Sequence, residues 1–145
     1  MRRVLLVLFP VLAAACLSTA DTSLQLDPTD TNVTGAFSLS SINGTPLPVL
    51  AQVTATQEFD LTSDTVSLAS DGTWTETSVY TVTMLTDNTS TTTATVISGT
   101  YTIANQQINF VQTSTGGSLT FSGSVKGARL TIVFGGSQFL YDRST

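Results

Sequence analysis

The chain has 145 residues, room for one domain, of which 41% are hydrophobic and only 10% charged. A net charge of −5 excludes a basic nucleic-acid surface, and the lack of histidine excludes a Ser-His-Asp triad and a histidine-ligated zinc site. Threonine and serine fill the charge deficit, and β-branched Thr suits strands better than helices.

In chain order the first element is an export signal over residues 1–15. Arg2 and Arg3 form a positive start, Val4 to Leu12 a short apolar run, and Ala13 to Ala15 a small-residue junction. The apolar run is too short to span a bilayer. Cys16, the sole cysteine, follows at once and cannot form an internal disulfide. Leu12-Ala13-Ala14-Ala15-Cys16 resembles the bacterial lipobox, with Ala13 where that motif most often has Leu. The resemblance implies lipidation of Cys16 and a lipid-anchored envelope protein, in the outer membrane where the host has one. The alternative is free secretion after a cut at Ser18-Thr19-Ala20. Residues 16–33 then form the lipidated cysteine and a Thr/Asp/Ser-rich flexible tether, with a reach of roughly 23 Å. Removal of the leader leaves Lys126, Arg129 and Arg143 against ten acidic residues.

Residues 34–145 form the folded domain. Apolar residues recur at every second position, as in half-buried strands. Phe37 and Leu39 precede an Asn43-Gly44 turn, and the segment from Thr45 to Ala55 contains prolines and is either a strand or a lid. Phe59 and Leu61 share odd parity but Val66 and Leu68 are even, which implies a bulge or turn near Ser63-Asp64. After an Asp71-Gly72 hairpin, Trp74, Tyr80, Val82 and Met84 share a face. Thr86 to Thr92 reads as a polar link before Ile97, Gly99, Tyr101 and Ile103. Asn105-Gln106 turns the chain into Ile108 and Phe110. Leu119, Phe121 and Val125 follow, then Leu130, Ile132 and Phe134, then Phe139 and Tyr141.

About eight strands with short connections favour an antiparallel up-and-down barrel, whose closure removes exposed edges; a β-sandwich is the alternative. Gly35-Ala36-Phe37 resembles the lipocalin G-x-W, and Phe139-x-Tyr141-x-Arg143 the family's last strand. The domain therefore resembles a small lipocalin-like barrel, with Phe for Trp and no Thr-Asp-Tyr motif. Arg143 shares the inward parity of Phe139 and Tyr141, which would set its guanidinium over Phe37 as a plug at one end.

The remaining candidate residue is Glu76, on the inward face of Trp74 and Tyr80. A buried carboxyl needs a partner or a raised pKa, and Glu76 is either a polar anchor in a cavity or a residue at a wet mouth. Asp60 and Asp64 bracket the parity slip and read as a solvated turn. None of Asp64, Asp71 and Asp87 is placed to join Glu76 as a second inward acid. No catalytic residue, metal site or cofactor is expected, and the chain is read as a non-enzyme. The leading expectation is a monomeric structural or interaction module of the cell envelope, with the aromatics filling the core. The alternative is a binding protein for one small apolar ligand inside the barrel, with Gly99, Gly123 and Ser78 making room.

Overall fold

The computed structural model describes residues 32–114 and 117–144. Ten strands and no helix make up these residues: β1 (Gly35–Ile42), β2 (Thr45–Pro46), β3 (Val49–Val53), β4 (Gln57–Leu68), β5 (Thr73–Met84), β6 (Ser90–Ala104), β7 (Gln107–Ser114), β8 (Gly117–Lys126), β9 (Arg129–Phe134) and β10 (Ser137–Arg143). The expected leader, Cys16 and most of the tether lie outside the described residues.

Every pairing is antiparallel. β4 to β10 run as a meander, β10 pairs with β1, and β1 returns to pair with β4. That last ladder, Gly35 to Ser38 against Leu68 to Thr65, closes eight strands into an up-and-down barrel and rules out the sandwich. β2 and β3, the proline-containing segment, are not staves. They extend the edges of β1 and β4 beyond the closed part.

Turn chemistry sets the meander. Asn43-Gly44, Asn105-Gln106 and Gly135-Gly136 each place two successive residues at positive φ, which two-residue hairpins with a matching twist require. The β4–β5 loop is longer: the Gly72 N–H donates to the Ala69 carbonyl at 3.2 Å, and Gly72 then takes φ +83°. Asp71 fixes this loop by accepting from the Thr73 N–H and hydroxyl at 2.9 and 2.6 Å.

The parity slip is a bulge. Leu61 pairs with Tyr80 and Ser63 with Val79, so Thr62 is the extra residue and the alternation resets after it. The expected polar link is shorter than Thr86 to Thr92, because β6 begins at Ser90. Its residues from Ser90 to Val96 are exposed on both faces, so no apolar alternation marks them, while β-branched Thr favours the extended backbone.

One end of the barrel is solid. Phe37, Val66, Trp74, Ile108, Phe110, Val125 and Leu130 are almost fully buried there. The Trp74 ring meets Phe110 edge-on at 5.8 Å, and its indole N–H donates to the Thr100 carbonyl at 3.1 Å. Arg143 closes this end beneath them. Its guanidinium carbon lies 4.6 Å from the Phe37 ring centroid, and its N–H groups donate to the carbonyls of Thr34 at 2.5 Å and Asn32 at 3.0 Å.

Candidate functional site

Away from the Arg143 end the interior opens into a cavity of about 130 Å³. Its wall draws on β5 through β10: Glu76, Ile97, Gln112, Leu119, Phe121, Ile132, Phe134, Phe139 and Tyr141. Strand direction places it. Phe37 pairs with Arg143 at the closed end, whereas Ile42 pairs with Phe139, so the cavity occupies the other half of the barrel. Phe121 joins the two halves: it stacks on Phe110 at 4.9 Å and meets Phe134 at 5.8 Å. Phe134 and Leu119 stay 43% and 40% exposed, which marks the rim as apolar and open to solvent.

Gly99 and Gly123 do not make this space. A Cβ on Gly99 would strike the Val111 carbonyl and come within 2.8 Å of the Trp74 indole nitrogen. One on Gly123 would meet the Thr131 carbonyl at 2.6 Å and Phe110 at 3.1 Å. Both glycines let rings pack against backbone at the solid end. The expectation that they enlarge the interior is therefore corrected: the room comes from the loose half of the barrel, where Ile97, Leu119 and Phe134 keep some surface.

The polar lining of the cavity is the Gln112 amide, the Tyr141 phenol and one acid. The acid is Glu76 on β5, with a half-buried side chain. Beside Glu76 is Asp64 on β4, only 4% exposed. Ser78 stands between them, its hydroxyl donating to Asp64 Oδ2 at 2.6 Å, with Glu76 Oε1 at 3.4 Å. Asp64 Oδ1 is buried with no hydrogen-bond partner. Two expectations fall here. Asp64 is not in a solvated turn, and Glu76 does have an inward acidic neighbour. The bulge at Thr62 is the reason: it turns Asp64 onto the same inward face as Val66 and Leu68. Asp60, by contrast, lies before the bulge on the outer part of β4.

Burial is the main electrostatic influence. It pushes the Glu76 carboxyl up to about 8 from an ordinary 4.5, with the neighbouring Asp64 charge adding to the rise. Asp64 is raised by burial too, opposed by hydrogen bonds from Ser78, Glu76 and Tyr141. The phenols of Tyr141 and Tyr80 are raised by burial and then by these acids, apart from a Ser78 hydrogen bond that lowers Tyr80. At neutral pH the cluster therefore holds a proton on Glu76, and its groups can both donate and accept hydrogen bonds.

Arg143, the other polar candidate, lies at the opposite end and takes no part in the cavity. Its guanidinium ties the segment from Asn32 to Thr34 across the barrel base. Among the described residues no three His, Cys, Asp or Glu side chains converge as metal ligands.

No family model matches the chain, and no curated protein matches it. Among solved structures, a point mutant of the fluorescent protein UnaG is similar at 14% identity and a TM-score of 0.36, over 78% of this chain and 96% of that one. At that TM-score the likeness carries no functional weight, and the barrel assignment rests on the strand pairings.

Proposed function

We propose that the domain is a non-catalytic binding module that holds one small apolar molecule in the barrel. The observation that carries this reading is the cavity: about 130 Å³, walled mostly by aliphatic and aromatic side chains with Glu76 and Gln112 among them, and with an exposed apolar rim. A wholly apolar void of about 150 Å³ accepts a molecule the size of benzene. The occupant is therefore one ring or a short branched chain, far smaller than what fills the roughly 300–1,000 Å³ pockets of drug-sized ligands. A cavity this narrow leaves no cleft for a polymer substrate beside the acid pair.

The address belongs to the same proposal. A lipid on Cys16 would hold the domain at a bacterial envelope membrane. The segment from Asn32 to Thr34 crosses the closed end, where Arg143 binds it, so a tether entering there supports an orientation with the cavity facing away from the lipid.

A second reading, an envelope interaction module, draws support from β6. Residues Ser90 to Ser98 pair with β5 on one side and have no partner strand on the other among the described residues. Such an edge can take an added strand from a partner.

Native mass spectrometry of the gently extracted protein tests the first reading. A co-purifying mass of roughly one small ring supports it. A bare protein mass that also stays bare after incubation with small aromatics would remove it.

A further inference from the structure

We propose that the cavity selects a small apolar amine, its protonated nitrogen held by Glu76 with Asp64 beside it and its hydrocarbon part against Ile97, Phe121 and Phe139. The inference rests on reading the cavity as a ligand site and adds the chemistry of the ligand.

A buried acid pair ordinarily has a cation or enough donors to offset the loss of water. This pair has no cation. Ser78 donates to Asp64 Oδ2, and Glu76 and Tyr141 also hydrogen-bond Asp64, yet Asp64 Oδ1 is left without a partner although Asp64 is only 4% exposed. The described cations all lie elsewhere. Arg143 sits on Phe37, Arg129 pairs with Asp142 at 3.1 Å, and Lys126 is exposed at the end of β8, paired in register with Arg129. The groups around Glu76 are Asp64 on β4, Ser78 and Tyr80 on β5, Tyr141 on β10 and, in the same cavity wall, Gln112 on β7: an acid, a hydroxyl, phenols and an amide, with no positive charge. An ammonium group is the complement that supplies the missing charge at Glu76, the acid that lines the cavity, and it brings three N–H groups as donors. A carboxylate or phosphate ligand would meet repulsion instead. The aromatic wall adds to the preference, because ring faces attract cations.

Proton balance follows directly. An amine that arrives as an ammonium meets Glu76 in its protonated form at neutral pH, and Glu76 must ionise to pair with it. One proton leaves Glu76 for solvent as the complex forms, while the ligand keeps its own.

Benzylamine and benzyl alcohol differ by one polar group at the same size, and both approximate the cavity. Calorimetric titration of the whole folded domain with each, at neutral pH and about 0.15 M salt to screen non-specific attraction to an acidic protein, separates the claims. Benzylamine is expected to bind at least about tenfold more tightly. Its apparent enthalpy should differ between phosphate and Tris buffers by an amount that reports proton release. Glu76→Gln should remove most of the amine preference, read as the ratio of the two probes' affinities. Asp64→Asn is a second, independent variant with the same expected direction. Equal binding of the two probes, or tighter binding of the alcohol, would overturn the amine proposal and leave the cavity reading intact. Amine binding unchanged in both variants would place it on the acidic surface and overturn the proposal. Binding of neither probe would overturn both.

Discussion

Phe37 and Arg143 are register partners on the first and last staves of the barrel, and the guanidinium lies 4.6 Å from the ring centroid. The same guanidinium bonds two carbonyls of the incoming chain, at Thr34 and Asn32. Gly35 makes the approach possible: a Cβ there would come within 2.7 Å of Arg143 Nη1, and its φ of +126° suits glycine. One side chain thus caps the closed end of the barrel and docks the N-terminal segment on it.

Arg143→Ala should therefore destabilise the domain by about 2 kcal/mol, from lost charged hydrogen bonds and cation–π attraction. Arg143→Lys should recover only part of this, since an ammonium cannot span two carbonyls and a ring in the same planar geometry. Urea unfolding of the three proteins checks the ranking, and an Ala variant as stable as the parent would contradict it.

Gly99→Ala should cost about 3 kcal/mol or more, because the added methyl group strikes the Val111 carbonyl under the Trp74 ring. Thr95→Ala, on the exposed part of β6, should change stability by less than about 0.5 kcal/mol. Thermal melts of both variants test the contrast.

Much of this barrel is legible in the alternation of apolar residues. Phe37, Val66, Trp74, Phe110 and Tyr141 all face inward as their parity demands, and the paired turns fall at Asn43-Gly44 and Gly135-Gly136. Ser90 to Val96 is hidden for a physical reason: a strand wet on both faces has no alternation to read. Asp64 is different, because its signal exists. Once the extra residue is set at Thr62, Asp64 falls into step with Val66 and Leu68, but a carboxyl within a loop-like Ser-Asp pair reads as turn chemistry. The cavity itself has no sequence signature, since the same inward aromatics can pack solid, as around Trp74, or leave a gap, as around Phe139.

The acid pair gives the domain an unusual dependence on pH. Glu76 holds its proton up to about 8 in the fold and to about 4.5 when unfolded, so the native state binds more protons in between. Stability from this group is complete below about pH 4.5 and is lost as pH rises through about 8, by a few kcal/mol at about 1.4 per pKa unit. The raised Asp64 acts in the same sense. The lowered acids Asp71 and Asp87 act oppositely but at lower pH, below the ordinary carboxylate range. Denaturation midpoints should therefore fall from about pH 5 to about pH 9, and Glu76→Gln should flatten the slope. A midpoint that climbs across this range would contradict the burial of Glu76.

Lipid anchoring has an equally simple check. Cys16→Ser should move the full-length protein, expressed in a bacterial host, from the membrane fraction to the soluble or secreted fraction. Unchanged membrane association would end the lipoprotein proposal.

The most direct test of the binding reading is methyl NMR of the domain titrated with toluene, a neutral probe matched to the void. The expected result is saturable shifts confined to Ile97, Leu119 and Ile132 around the cavity, with Ile108 and Val125 at the solid end unmoved. The contrary result is an absence of saturable shifts, or shifts scattered over exposed methyls such as Val96 and Ile103.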